Sequence, residues 1–244
     1  MNFKLVSLCV LFGLTACTSM LVGPYSFTYS PIQTKEFEIA TWQSLTNASE
    51  PVHIYIEGDG YAFNRKGVPT GNPTPRSQLV RNLAARDGAS NVVYMARPCQ
   101  YIKSPSCDVS DWTDGRFSTD VLESMHTAIK IIAKNRPIVL IGYSGGAMVS
   151  GLLIQKYPDL NVQKWITVAG VLNHKDWTQY FGDAPLNKSL NLNVLPHISQ
   201  THYIADGDTV VPNELTRRWT KASDIVVIKN AKHDSFRGLE IDFE

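Results

Sequence analysis

Residues 138–147 read IVLIGYSGGA, and the fold turns on how this stretch is read. Ile138 to Ile141 form a short apolar run rich in β-branched residues, which suits a buried strand. The run stops at Gly142-Tyr143-Ser144-Gly145-Gly146, a match to G-x-S-x-G. That pattern describes a strand turning sharply into a helix, with the central serine exposed at the end of a sheet in a strained backbone conformation. Small neighbours are needed where strand and helix nearly collide, and Gly142 and Gly146 supply them. A helix over 147–157, stopped by Pro158, completes the strand-turn-helix setting. Ser144 is therefore a candidate nucleophile. The plainer alternative is a glycine-rich turn with a surface serine, and the flanking elements favour the first.

Working outward, Pro51 introduces VHIYIE at 52–57, a strand that ends in Gly58-Asp59-Gly60. Two glycines at this spacing form half of a dinucleotide-binding fingerprint, but Phe63 stands where the third belongs, so dinucleotide binding is rejected. Residues 64–75 are a surface loop dense in Gly and Pro, and helical spacing follows over 76–86, ended by Asp87-Gly88. A strand over 91–96 and a helix over 118–134, with Val121, Met125, Ile129 and Ile132 on one face, lead to the opening stretch. Beyond it come strands over 164–169, 201–205 and 224–229, with a helix over 212–221. This alternation predicts an α/β fold: a mostly parallel central sheet flanked by helices on both faces. Residues 25–30 and 36–42 read as an antiparallel edge around Pro31. Residues 170–199 show no strand signal and carry Trp177, Tyr180 and Phe181, which suits either a small lid insert or a satellite core under a loop. No repeat or linker divides residues 25–244, which read as a single domain.

The composition agrees with one well-filled core: 244 residues, 43% hydrophobic and 18% charged. A formal net charge of +1, with no run of lysines or arginines, excludes nucleic acid as a partner.

The N-terminus has a different character. Met1 to Lys4 is a short positive region and Leu5 to Leu14 an apolar run too short to span a bilayer, so residues 1–16 read as a secretory signal. Leu14-Thr15-Ala16-Cys17 resembles the lipobox of bacterial lipoproteins. The resemblance implies lipidation of Cys17, with 17–24 as a tether to the membrane. Thr18, where an aspartate would retain a lipoprotein at the inner membrane, points by the same resemblance to the outer membrane, facing the periplasm of a bacterial envelope. Of the four cysteines, Cys9 and Cys17 belong to this segment. Cys99 and Cys107 share one loop in a chain bound for an oxidising compartment, and a disulfide between them is expected. A zinc site lacks further ligands, and the compartment disfavours free thiols.

Taken together, Gly-Tyr-Ser-Gly-Gly at 142–146, Asp-Gly-Asp-Thr-Val-Val-Pro at 206–212 and His233 just after the last strand follow the order Ser, Asp, His. In this the chain resembles the α/β-hydrolase superfamily. With IEGDGYAF at 56–63, ARPCQY at 96–101, CDVSDWTDGRFS at 107–118 and VAGVLNHKDWT at 168–178, it also looks like a little-characterised group of bacterial lipoprotein hydrolases. The resemblance implies Ser144 as nucleophile, His233 as base and Asp208 as the acid that orients it, with Asp206 as the runner-up. It implies an oxyanion hole from the backbone N–H of Gly145 and that of Asp59 or Gly60, Glu57 standing where relatives often carry histidine. An ionised Asp59 would oppose a developing oxyanion, so its side chain is expected to turn away or to pair with a cation such as Arg97. The implied activity is serine hydrolysis of an ester or related acyl bond in a small-molecule or lipid-like substrate. No metal or organic cofactor is implied, and no residue pattern fixes the subclass or the oligomeric state. The rival is a catalytically silent binding protein of the envelope on the same fold.

Overall fold

The computed structural model describes residues 27–243. The signal, Cys17 and the tether lie outside the described residues. In chain order the strands and helices are β1 (Thr28–Tyr29), β2 (Ile32–Gln33), β3 (Glu38–Ile39), β4 (Thr41–Leu45), β5 (Val52–Ile56) and α1 (Leu79–Arg86). There follow β6 (Asn91–Met95), α2 (Thr119–Ala133), β7 (Ile138–Tyr143), α3 (Gly145–Lys156), β8 (Val162–Val168), α4 (His174–Phe181), β9 (Ser199–Ala205), α5 (Asn213–Trp219) and β10 (Ile225–Ile228). Eight strands form one sheet in the order β1-β4-β6-β5-β7-β8-β9-β10. From β6 to β10 every pairing is parallel, while β4 runs antiparallel to β1 and β6. The expected mostly parallel sheet is thus observed.

The antiparallel edge is more broken than its sequence suggests. Thr34 N–H and Oγ1 both bond the Phe37 carbonyl, closing a turn that pairs β2 with β3 in a separate two-stranded ribbon. The chain rejoins the main sheet at Thr41.

Alternation along the strands divides the core. Ile54, Ile56, Val93, Met95, Leu140 and Trp165 point to the face covered by α2 and α3. Their neighbours Tyr55, Val92, Tyr94, Val139, Ile141 and Ile166 point to the other, where α1 and the C-terminal residues Phe236 and Leu239 pack. Helices α2 and α3 owe their starts to different causes. Ser118 Oγ caps α2 by accepting from Val121 N–H at 3.3 Å, whereas α3 begins directly at the turn with no side-chain cap.

Residues 170–199 hold α4, a helix with no signal in the sequence. Its stretch HKDWTQYF is only eight residues long, and its aromatic residues Trp177, Tyr180 and Phe181 share a face that tertiary bonds fix in place. Asn173 caps it, His174 N–H donates to Asn191 Oδ1 at 2.9 Å, and Trp177 Nε1 donates to the Val210 carbonyl at 2.7 Å.

Cys99 and Cys107 form the expected disulfide in the loop after β6, with Cα atoms 5.8 Å apart. The loop does more than close on itself. Gln100 Oε1 accepts from Arg97 N–H at 3.0 Å, and its Nε2 donates to the Gly58 carbonyl at 2.8 Å, bracing the turn after β5. Replacing both cysteines by alanine should lower unfolding free energy by about 2 to 3 kcal/mol, the loop-closure value for so short a ring. Urea denaturation of the double variant measures it.

Candidate functional site

Because β5, β7, β9 and β10 run parallel, the loops at their C-terminal ends gather at one edge of the sheet, where open α/β sheets bind ligands. Six of the sequence-predicted positions, Ser144, Gly145, His233, Asp208, Asp59 and Gly60, converge there.

Ser144 sits between β7 and α3 at φ 51°, ψ −121°, a left-handed conformation a serine rarely takes. Its backbone is pinned on both sides, N–H to the Val168 carbonyl at 3.0 Å and carbonyl to the N–H groups of Ala147 and Val171 at 3.1 and 3.0 Å. The flanking glycines are required by space. A Cβ on Gly142 would lie 2.6 Å from Ala147 Cα, and one on Gly146 would lie 2.5 Å from the Glu57 carbonyl oxygen.

His233 follows β10, and its Nε2 lies 3.0 Å from Ser144 Oγ. Its Nδ1 lies 2.9 Å from Asp208 Oδ2. The other oxygen of Asp208 accepts the N–H groups of Val210 and Val211, each at 2.8 Å, so this buried carboxylate has one oxygen fixed to its own loop and one left for the imidazole. Asp206 instead accepts Ala231 N–H at 3.2 Å, tying the loop after β9 to the loop that carries His233. Between the two aspartates, then, the geometry brings Asp208 to the histidine. Tyr143 supports the same loop, its hydroxyl donating to the His233 carbonyl at 3.1 Å.

The turn after β5 brings Asp59 and Gly60 to the same place. The N–H of Gly145 opens α3, among the first-turn donors that no intrahelical carbonyl can satisfy. A Cβ on Gly145 would collide with Asp59 Oδ1, so this carboxylate packs directly on the start of the helix. Asp59 does pair with Arg97, through Oδ1, and also with Arg116, whose Nη1 donates to Oδ2 at 2.7 Å. Burial alone would raise the Asp59 carboxyl, but the guanidinium groups of Arg116 and Arg97 hold it below its ordinary value. Its negative charge is thereby engaged from two sides.

No protein-family model and no curated protein matches the chain in sequence. Solved structures do match. An α/β serine hydrolase without a lid from Xanthomonas campestris superposes with a TM-score of 0.57 at 17% identity, over 88% of this chain and 89% of that one. An α/β serine hydrolase homologue from Coxiella burnetii gives 0.54 at 18% identity, over 85% and 89%. Est1E from Butyrivibrio proteoclasticus gives 0.56 at 12%, over 85% and 90%. The chain has the α/β-hydrolase fold.

In many α/β-hydrolase folds the turn after the corresponding strand carries histidine, and here Glu57 takes that position with its side chain buried under the site. It accepts Gly58 N–H at 3.0 Å and the Tyr94 hydroxyl at 3.0 Å. Over these partners an α/β-hydrolase cavity of about 350 Å³ opens beside Ser144 and His233, walled by Phe63, Phe117, Val171, Trp177, Leu186 and Val211. Trp177 thus belongs to the wall of the cavity, and α4 with it. Arg116 and His174 also line the cavity and escape sequence reasoning, since no motif points to them; their only signal is membership in CDVSDWTDGRFS and VAGVLNHKDWT.

Burial pushes the Glu57 carboxyl from 4.5 up to about 7. The folded chain keeps this proton to higher pH than the unfolded chain, so its contribution to stability falls as pH rises from about 4.5 to about 7. His202, buried in β9 between Thr167 and Gln200, is pushed from 6.5 down to about 4 by the same cause. It binds its proton more readily when unfolded, so it adds stability as pH rises from about 4 to 6.5. The two slopes oppose each other. Glu57→Gln should uncover the His202 rise, with the stability difference between variant and wild type growing in the variant's favour by about 3 kcal/mol from pH 4.5 to 7. Urea denaturation across that range tests it, and parallel curves would assign Glu57 an ordinary carboxyl.

Proposed function

We propose that the chain is an exported, lipid-anchored serine hydrolase that cleaves an ester or related acyl bond through an acyl-enzyme. The observation that carries this reading is the continuous relay from Ser144 Oγ to His233 Nε2 and from His233 Nδ1 to Asp208 Oδ2. A serine hydroxyl is a weak nucleophile, and a neutral imidazole in hydrogen-bond reach takes its proton as Oγ attacks the carbonyl carbon. Asp208 fixes the tautomer that leaves Nε2 free to accept, and it stabilises the imidazolium that forms.

The tetrahedral oxyanion falls to the backbone N–H of Gly145 and that of Asp59 or Gly60. His233 then gives its proton to the departing oxygen, the C–O bond breaks, and the acyl group remains on Ser144. Water enters, His233 takes one of its protons, and the hydroxide equivalent releases the acid and restores the serine. The neighbouring structures described as serine hydrolases share the fold, and that likeness supports hydrolysis without naming a substrate.

Cys17, in its lipobox setting, is the proposed anchor to the bacterial envelope, where the Cys99–Cys107 disulfide would be at home. A fluorophosphonate probe should label the wild-type protein and fail to label Ser144→Ala; a folded wild type that resists the probe would mark a silent binding protein instead. Cys17→Ser should move the protein from the membrane fraction to the soluble periplasmic fraction, and unchanged partitioning would remove the anchor from the proposal.

A further inference from the structure

The cavity beside Ser144 has a mostly apolar wall interrupted by a buried cation. Arg116 lines it with its side chain only 7% exposed. One arm of its guanidinium is occupied, Nη1 donating to Asp59, whereas its buried Nε has no hydrogen-bond partner among the described residues. Three aromatic rings, Phe63, Phe117 and Trp177, each stand 5.9 Å from the guanidinium carbon and keep water from it. His174, which also lines the cavity and is stacked on Phe117, has neither ring nitrogen in a hydrogen bond of normal geometry.

The charges here do not balance. Among the described residues Asp59 is the one carboxylate bonded to Arg116, and it is shared with Arg97. Arg97 spends its other arm on the Arg116 carbonyl, which carries no formal charge. Two guanidinium groups therefore face one carboxylate. Glu57, the nearest further carboxyl to act on Arg97, holds its proton up to about 7 and adds less than a full negative charge at neutral pH. At the rim Arg76 lies over the Tyr61 ring, and Asp234 is exposed to solvent, where water screens it. A buried positive charge without full compensation is costly, and an arriving anion relieves that cost.

Resting on the hydrolase reading above, we propose that Arg116 is a specificity-determining residue that receives a carboxylate at the far end of a short acyl chain. The substrate class is then a half-ester, or related half-acyl derivative, of a small dicarboxylic acid. Position argues for the acyl side. His233 must face the departing oxygen, while Arg116 bonds Asp59, whose carboxylate packs on Gly145, the proposed oxyanion donor. The cavity is at the small end of ligand pockets, which suits a short chain better than a long lipid tail. Apolar walls take the methylenes, and the Arg116 guanidinium takes the terminal carboxylate with a charge-assisted bond.

The test compares 4-nitrophenyl valerate with mono-4-nitrophenyl glutarate, which differ by a carboxylate in place of a methyl group and share a leaving group. After subtraction of spontaneous hydrolysis, wild type should favour the glutarate in kcat/KM by at least about 10-fold, the value of one hydrogen bond to a charged group. Arg116→Gln should erase the preference, and Arg116→Lys should keep part of it. Should Arg116→Gln fail to fold, inhibition of valerate hydrolysis by free glutarate but not by free valerate gives the same answer on wild type. Labelling of Ser144 by the fluorophosphonate, together with equal or better turnover of valerate, would overturn the subsite and leave the hydrolase reading intact. Absence of labelling and of turnover with both esters would overturn the hydrolase reading and the subsite with it.

Discussion

The close crossing of β7 and α3 at Ser144 is the constraint on which the rest of the site depends. No Cβ fits at Gly142 or Gly146, because the backbone of α3 and the carbonyl of Glu57 already occupy that space. The strained serine is held by three backbone hydrogen bonds, two of which reach β8 and the segment after it. Such strain persists only when the surroundings over-determine it. Parallel strands on both sides of β7 provide that, and the same parallel arrangement sends the loops after β5, β9 and β10 to one edge. Ser144, His233 and Asp208 meet because strand direction is shared, although they lie far apart in the chain.

Electrostatics at this edge is layered. Asp208 is buried and spends one oxygen on two backbone N–H groups, which fixes its rotamer before the imidazole contributes anything. Asp59 is held by two guanidinium groups rather than by backbone. Glu57, underneath, accepts a peptide N–H and a phenol, and burial drives its carboxyl upward. Three acids within one site thus meet three environments, and their chemical character follows from the partners each has been given.

How much of this was legible beforehand depended on whether the signal was local. The turn at Gly142–Gly146 is written in adjacent residues, and the disulfide follows from two cysteines in one loop. His233 stood out because it follows the last strand. The choice between Asp206 and Asp208 needed the distance from each to the imidazole, since both lie in the same short loop. Helix α4 was not legible because eight residues are too short a window for its Trp177, Tyr180 and Phe181 spacing to stand out, and its contacts reach Asn191, Val210 and the Trp219 indole, which donates to Asp176 at 3.1 Å. Arg116 and His174 were invisible for a related reason. What marks them is a buried Arg116 Nε without a hydrogen-bond partner and His174 ring nitrogens with none of normal geometry, and no periodicity encodes that.

The contact between Gly145 and Asp59 reaches beyond this one molecule. In the general pattern the residue after the serine is a free choice, but here a carboxylate from another strand's loop occupies the space its side chain would need. Two distant positions have become a single evolutionary decision: a lineage that keeps aspartate at 59 must keep glycine at 145, and one that gains a side chain at 145 must first lose the aspartate. Among related chains these two sites should change together or not at all.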